Sequence, residues 1–180
     1  MEDGSADARR FRIVRPHAEG GLGQVFVARD LELNREVALK RIRDEHADNA
    51  DSRTRFQLEA EITGRLEHPG IVPVYGLGTY DNGRPFYAMR FIRGQSLKEE
   101  IERFHGMESA GLPAAREPQA PTVKSNAALR LDIGERAVAF RKLLQQFIDV
   151  CEAVHYAHSR GILHRDLKPG NVMVGRYGET

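Results

Sequence analysis

The most specific chemical pattern in the sequence is the segment HRDLKPGN at residues 164–171. Asp166 is a carboxylate that can accept the proton of a hydroxyl group, and Lys168 can neutralise a phosphoryl group during its transfer. Asn171 offers an amide oxygen, the kind of ligand that the hard cation Mg²⁺ prefers. The spacing of these three residues therefore predicts phosphoryl transfer to a hydroxyl group, with a metal ion held at Asn171.

A second charged pair is expected in the apolar first half of the chain. Lys40 lies on the inner face of a strand predicted over 36–42, where a lysine is costly unless its charge is paired or bound by a ligand. From this segment alone, a surface lysine that buries only its stem is an equal alternative. Glu59, on the apolar face of a helix predicted over 52–66, also needs a partner of opposite charge. A Lys40–Glu59 ion pair satisfies both groups and holds the lysine toward an anionic ligand.

Three glycines, Gly20, Gly21 and Gly23, stand in a turn between two strand-like runs. A dinucleotide-binding fingerprint requires a helix directly after the last glycine, whereas residues 24–29 have a strand pattern, which excludes that interpretation. Two interpretations remain open. One is a plain hairpin turn, and the other is a turn whose backbone N–H groups lie over phosphates because missing side chains allow close approach.

The elements that would position these residues form two groups. In the first half, the helix over 52–66 ends before His68-Pro69-Gly70, and five strands are predicted, over residues 12–15, 24–29, 36–42, 71–77 and 85–92. In the second half, the patterns predict a short helix over 96–104, a flexible Pro- and Ala-rich insertion at 105–132, an amphipathic helix over 136–160 and a strand over 172–174.

Composition limits the function classes. The 180 residues carry 27 Lys and Arg against 26 Asp and Glu, so no global positive field is present to gather nucleic acid or an anionic membrane. The single cysteine, Cys151, cannot form an internal disulfide and lies on the apolar stripe of its helix, where a core position is expected. No run of residues matches a membrane helix or a signal peptide, which predicts a cytoplasmic chain.

Taken in order, these motifs resemble the bacterial serine/threonine protein kinases of the eukaryotic-like type. The glycine-rich turn, VALK at 37–40, the acidic residue of the next helix, HPGIV at 68–72 and HRDLKPGN at 164–171 all follow the family's order. The resemblance covers about residues 11–180. It implies an α+β, protein-kinase-like fold with a five-stranded antiparallel sheet lobe that carries one helix and a partial, mainly helical lobe. The implied limits are a flexible N-terminus at 1–11, the sheet lobe at 12–92 with a hinge at 90–92, and the helical lobe at 93–180.

The resemblance also implies the ligands and the roles of the site residues. ATP and Mg²⁺ are the implied cofactors, and a Ser or Thr hydroxyl of a protein is the implied acceptor. Lys40 would hold the α- and β-phosphates and Glu59 would pair with it, while Asp166 would act as the catalytic base and Asn171 as a metal ligand. Further positions implied to border the nucleotide are Ala18, where the family has its first loop glycine, and Gly20, Gly21, Gly23, Val25, Ala38, Met89, Arg90, Ile92 and Met173.

Alternatives differ in the acceptor and in the completeness of the chain. Small-molecule phosphotransferases share the spacing of His164, Asp166 and Asn171 but usually lack a lysine at position 168, so Lys168 favours a protein substrate with Ser or Thr. The family's Asp-Phe-Gly metal motif is expected beyond Thr180, and the chain alone is therefore expected to transfer phosphate very poorly. It could instead be an inactive ATP-binding fragment, or an interaction module that docks a protein partner through helix 136–160.

Overall fold

The computed structural model describes residues 10–110 and 123–175, with side chains placed for 10–106 and 134–175. The chain divides into two compact units between Ile92 and Arg93, and the sequence analysis places its lobe boundary at the same point. Among the described residues, no helix is long and apolar enough to cross a membrane.

The first unit is built on one antiparallel sheet. Its five strands lie in the spatial order β1-β2-β3-β5-β4, and this confirms the predicted sheet. The strands are β1 (Phe11–Glu19), β2 (Gly23–Asp30), β3 (Arg35–Ile42), β4 (Val74–Thr79) and β5 (Pro85–Arg90). Two helices lie between β3 and β4, α1 (Asp44–Ala47) and α2 (Ala50–Gly64). The four-residue α1 was not predicted from the sequence.

Several boundaries differ from the prediction for local physical reasons. Strand β1 continues past the predicted 12–15 because two register shifts against β2 accommodate Pro16, a residue that an edge strand tolerates at a bulge. Strand β4 begins only after Pro73, which has no N–H to donate to a ladder. Helix α2 begins after Asn49, whose side chain accepts a hydrogen bond from the Ser52 N–H at 2.8 Å.

Each face of the sheet has its own apolar core, because successive side chains of a strand point to opposite faces. One face buries Ala28, Val37, Leu39, Phe86 and Ala88. The other face packs against the two helices and buries Ile42, Ala47, Phe56, Ala60 and Tyr87. Helix α2 is therefore seated on the sheet through Phe56 and Ala60, and this contact determines which residues of α2 face β3 and β5.

Asp30 ties the start of the described chain to the sheet. Its carboxylate is fully buried and accepts hydrogen bonds from Arg10 Nε at 3.0 Å and Arg10 Nη2 at 2.9 Å. The Arg10 guanidinium lowers the pKa of Asp30 to about 2. The interaction therefore stabilises the folded state fully above the ordinary pKa of an aspartate, and this stabilisation is lost as the pH falls through the lowered pKa. Arg10 and Phe11, which fall inside the predicted flexible segment 1–11, thus have defined positions; residues 1–9 lie outside the described chain.

The second unit contains two helices and a small sheet. Strand β6 (Gly94–Ser96) pairs antiparallel with β7 (Met173–Gly175), and a short 3₁₀ turn at Pro169–Asn171 precedes β7. Helices α3 (Leu97–Ala110) and α4 (Val123–Ser159) pack together, with the rings of Phe104 and Phe140 5.8 Å apart.

The two helices in this unit are longer than predicted. They occupy both ends of the segment 105–132 that was predicted as a flexible insertion, since residues 105–110 and 123–132 have helical backbone. The remaining residues of that insertion, 111–122, lie outside the described chain.

The C-terminal part of helix α4 is buried on a face that the sequence pattern did not single out. Gln146 and Ala153, seven residues apart on one side, are buried. The large apolar side chains of the opposite side are exposed and form a surface that we call the α4 stripe: Leu144 (47% exposed), Phe147 (60%) and Ile148 (46%). Cys151 lies on this same side and is exposed, so the expectation of a core position for it was wrong.

Candidate active site

The Lys40–Glu59 ion pair that the sequence predicts is formed. Lys40 Nζ on β3 lies 2.5 Å from Glu59 Oε1 on α2, and the lysine side chain is only 17% exposed. The pair forms because Phe56, three residues before Glu59, is fully buried beneath the sheet and turns the same side of the helix toward β3. A cation is thereby held at a defined place on the helix-covered face of the sheet.

Strand register brings four of the predicted nucleotide-binding residues of this unit to that same face. Lys40 is paired with Val25 on one side and Tyr87 on the other, and Ala38 is paired with Val27 and Met89. Because paired residues of neighbouring strands share a face, Val25, Ala38, Lys40 and Met89 form one contiguous patch. The patch combines apolar side chains with one ammonium group, as a base and a phosphate chain require.

The other predicted positions are distributed at the edges of the two units. Ala18 lies within β1, paired with Val25, and so outside the turn. Arg90 is exposed and ends β5, and Ile92 follows it as a half-buried residue. Met173 belongs to the second unit, where it pairs with Ser96.

The glycine-rich turn joins β1 to β2, and its glycines differ in how much space a side chain would have. The Gly20 N–H donates to the Gly23 carbonyl oxygen at 2.9 Å, which closes the turn. A Cβ on Gly23 would stand 2.8 Å from Lys40 Cε, 3.0 Å from Lys40 Cγ and 3.1 Å from the Arg41 carbonyl oxygen. A Cβ on Gly21 would meet no atom within 4 Å. Gly23 is therefore required so that the Lys40 side chain can pass beside the turn.

This difference predicts the outcome of a matched pair of substitutions. Gly23→Ala is expected to lower the free energy of unfolding by about 1–3 kcal/mol. The flexible end of the Lys40 side chain could move away from the new methyl group, but Lys40 Cγ and the Arg41 backbone could not. Gly21→Ala is expected to change it by less than about 0.5 kcal/mol. Urea denaturation of both variants measures the difference, and equal losses would contradict the assigned role of Gly23.

Tyr87 is a member of this site that the sequence analysis missed. Its hydroxyl donates a hydrogen bond to Glu59 Oε1 at 2.7 Å, and its ring lies 5.2 Å from that of Phe56. Burial, followed by the neighbouring Glu59 carboxylate, raises the pKa of Tyr87, so the hydroxyl stays protonated and remains a donor. The alternation of side chains along β5 places Tyr87 on the same face as Met89, and a tyrosine on an inner face needs a hydrogen-bond partner for its hydroxyl. These two facts could have predicted Tyr87 from the sequence.

The predicted catalytic loop is held together by its own polar side chains. Lys168 Nζ lies 2.9 Å from both carboxylate oxygens of Asp166. The Asn171 amide nitrogen donates to the Asp166 carbonyl oxygen at 2.8 Å and to its Oδ2 at 3.0 Å. Arg165, directly before Asp166, has a φ of 63°, a left-handed conformation that costs energy for a residue with a side chain. The loop therefore gathers Asp166, Lys168 and Asn171 into one cluster.

Two neighbours hold the Asp166 carboxylate in its charged form. The hydrogen bond from Lys168, and then that from Asn171, lower the pKa of Asp166, although the side chain is 66% exposed. At neutral pH the group is an ionised acceptor, which is the state that a proton-accepting base needs.

Removing the lysine is therefore expected to raise the pKa of Asp166. In Lys168→Met, the titration midpoint of the Asp166 side-chain carboxyl carbon, followed by NMR, should move to higher pH than in the unmodified chain, because the charged form loses its main hydrogen-bond donor. Lys142→Met, at an exposed lysine of α4, is the control and should leave the midpoint in place. An unmoved midpoint in Lys168→Met would show that the lysine does not act on this carboxylate.

The polar groups of the loop also fit a hard cation. The Asn171 amide nitrogen is engaged with Asp166, which leaves the amide oxygen as the atom that a Mg²⁺ ion would take. Within residues 10–106 and 134–175, no group of three or more His, Cys, Asp and Glu side chains converges as a metal cluster. His155 and His158, three apart on α4, are both exposed.

Comparison with known proteins places the chain in a family. The family model of the protein kinase domain matches residues 13–179. The serine/threonine-protein kinase PknD of Protochlamydia amoebophila (strain UWE25) is 36% identical over 171 residues, which are 94% of this chain and 15% of that protein. PknD of Chlamydia trachomatis serovar L2b is 37% identical over 172 residues, 96% of this chain and 16% of that protein.

A solved structure shows the same fold. The PknI kinase domain of Mycobacterium tuberculosis superposes with a TM-score of 0.60 at 27% identity, over 94% of this chain and 56% of that one. The chain thus spans a small part of the curated relatives and about half of the solved domain. Family model, motif order and fold agree, and the chain belongs to the protein kinase domain family, with bacterial serine/threonine kinases among its relatives.

Proposed function

We propose that this chain supplies the nucleotide-binding sheet and the catalytic loop of a serine/threonine protein kinase. The observation that carries the proposal is the Asp166 carboxylate, held ionised by Lys168 and Asn171 in the loop at 164–171. In the proposed reaction the acceptor hydroxyl gives its proton to Asp166 and forms a bond to the γ-phosphorus of ATP. The bond from that phosphorus to the β,γ-bridging oxygen breaks, and ADP leaves.

The nucleotide would bind on the patch of the first unit. Val25, Ala38 and Met89 offer apolar contact to a base, and the Lys40 ammonium offers a charge to the α- and β-phosphates. Mg²⁺, bound through the Asn171 oxygen, would offset negative charge on the phosphates. Because the reaction consumes ATP, a cytoplasmic location is proposed with it.

The acceptor is proposed to be a Ser or Thr hydroxyl of a protein. Lys168, two residues after Asp166, supports this choice over a small-molecule acceptor, since its ammonium lies 2.9 Å from the carboxylate of the base and offers a positive charge for a transferring phosphoryl group. The relatives named as serine/threonine kinases agree with this choice. The alternative of an ATP-binding but inactive fragment makes a different prediction, because it would bind nucleotide and transfer nothing.

A transfer assay with γ-labelled ATP tests the proposal. Both the 180-residue chain and the longest natural protein that contains it are incubated with a mixture of unstructured acceptor proteins and Mg²⁺, and the labelled residues are identified after acid hydrolysis. Label on Ser or Thr in the longer protein supports the proposed function. Label on Tyr or on a small molecule would overturn the acceptor class, and nucleotide binding without transfer in either protein would favour the inactive alternative.

The α4 stripe supports a second, contact role for helix α4. Each large apolar side chain left in water forgoes roughly 1.5–3 kcal/mol of burial, and the stripe presents Leu144, Phe147 and Ile148 together. We expect the 180-residue chain to self-associate at tens of micromolar, or to bind another protein through this surface.

The double variant Phe147→Ser/Ile148→Ser is expected to shift the chain toward monomer in size-exclusion chromatography, since it removes the two bulkiest groups of the stripe. Leu33→Ser, at an exposed leucine of the β2–β3 turn, is the matched control. A monomeric unmodified chain, with α4 amides as protected from hydrogen exchange as those of β3 and β5, would contradict this role.

A further inference from the structure

A single carboxylate oxygen of Glu59 receives two donors from different parts of the fold. Oε1 accepts from Lys40 Nζ at 2.5 Å and from the Tyr87 hydroxyl at 2.7 Å. The Glu59 side chain is 43% exposed, so it has other rotamers available and ordering it costs entropy. Tyr87 is only 4% exposed and lies in the middle of β5, and its buried hydroxyl is thus a fixed donor for the partly exposed Glu59 carboxylate.

Tyr87 also touches the other groups that place the lysine. Its ring is tilted at 48° against Phe56, the residue that seats α2 on the sheet. Lys40 Nζ lies 5.6 Å from the centroid of the Tyr87 ring and 5.9 Å from that of Phe56, within the range of a cation–π contact. One side chain of β5 therefore contacts the cation, its counter-ion and the helix anchor.

We propose that Tyr87 is a positioning residue for the ATP-binding lysine: its hydroxyl holds the Glu59 carboxylate toward β3, and the carboxylate in turn holds Lys40. The role of Lys40 in ATP binding rests on the proposed function, whereas the positioning of its ammonium does not. The ring and the hydroxyl of Tyr87 have separate roles. The ring packs α2 onto the sheet, and the hydroxyl selects the rotamer of Glu59.

The separation makes Tyr87→Phe an informative variant, because phenylalanine keeps the ring contact with Phe56 and loses only the donor. Tyr75→Phe removes a hydroxyl from the neighbouring strand β4, where the ring lies 3.8 Å from the Arg35 guanidinium, and serves as the control. Urea denaturation and circular dichroism establish that both variants are folded before any other measurement.

The reactivity of the Lys40 amine reports its positioning without any nucleotide. In competitive labelling with acetic anhydride, followed by peptide mass spectrometry, we expect Lys40 to react about fivefold faster in Tyr87→Phe than in the unmodified chain, because the carboxylate that covers it is released. The rate at Lys98, an exposed lysine of α3, is the internal reference. Tyr75→Phe should leave the Lys40 rate unchanged.

A double-variant cycle distinguishes action through Glu59 from a general loosening of the unit. If Tyr87 acts through the carboxylate, Glu59→Gln alone raises the Lys40 rate and adding Tyr87→Phe raises it by less than about twofold more, whereas independent effects would multiply. Multiplying effects, or an unchanged Lys40 rate in Tyr87→Phe, would overturn the proposal.

Nucleotide and activity measurements then separate this inference from the proposed function. If the longer protein transfers phosphate, Tyr87→Phe should raise the KM for ATP more than it lowers kcat, since it disturbs the phosphate-holding lysine and leaves Asp166 in place. If no transfer occurs but the Lys40 rates follow the cycle, the proposed function fails and the positioning role of Tyr87 stands. Full transfer with unchanged Lys40 rates would support the proposed function and overturn the positioning role.

Discussion

Replacing Asp166 with asparagine is expected to lower kcat for phosphoryl transfer by about 10²- to 10⁴-fold, the usual contribution of a positioned acid or base. The measurement is a steady-state assay with labelled ATP on the longest natural protein that contains this chain. Asparagine has nearly the same shape but cannot take the proton of the acceptor hydroxyl, and it also loses the charge that attracts the Lys168 ammonium 2.9 Å away. The KM for ATP is expected to stay within about twofold, since Asp166 is not assigned to nucleotide binding.

Asp81→Asn is the matched control for this substitution, because Asp81 is an exposed residue of the turn between β4 and β5. It makes the same chemical change and is expected to leave kcat unaltered. An Asp166→Asn protein that retains more than a tenth of the activity would show that another group accepts the proton.

Replacing Lys40 with methionine is expected to lower kcat/KM for ATP by about 10²- to 10³-fold, the size typical for removing one preorganised electrostatic group. Methionine fills the path beside Gly23 with an unbranched chain of similar length and removes the ammonium. Glu59 loses a cation at 2.5 Å but keeps the Tyr87 hydroxyl, and it is partly in water. The free energy of unfolding should therefore change by less than about 1 kcal/mol.

Lys98→Met tests whether loss of any lysine has this effect. Lys98 is 66% exposed on α3 and lies 3.7 Å from Glu102. The Lys98→Met protein should retain full activity. A Lys40→Met protein with normal kcat/KM would remove Lys40 from the site, whereas one that unfolds at a much lower urea concentration would show that the pair serves chiefly for stability.

The sequence by itself predicted the candidate site residues and most of the elements that hold them. Alternation of apolar residues predicted five strands, and a change to helical spacing predicted the helix that carries Glu59. These are local signals, since a period of two or of 3.6 residues follows from backbone geometry alone. The Lys40–Glu59 pair could be predicted because two charges on apolar faces each need a partner, and the chain offers these two on neighbouring elements.

Only the tertiary structure decided which groups meet across large separations in the chain. Tyr87 reaches Glu59 because the strand order places β5 beside β3 and seats α2 over both. Gly23 is confined by the Lys40 side chain because strand register, which pairs Gly23 with Ile42 and Val25 with Lys40, makes the two residues diagonal neighbours. Cys151 likewise lies on the apolar stripe of α4 and is nevertheless exposed, because the buried residues of that part of the helix, Gln146 and Ala153, lie on its other side. Periodicity shows that a residue faces inward or along a stripe, but contact depends on register, strand order and helix placement, which the whole chain sets together.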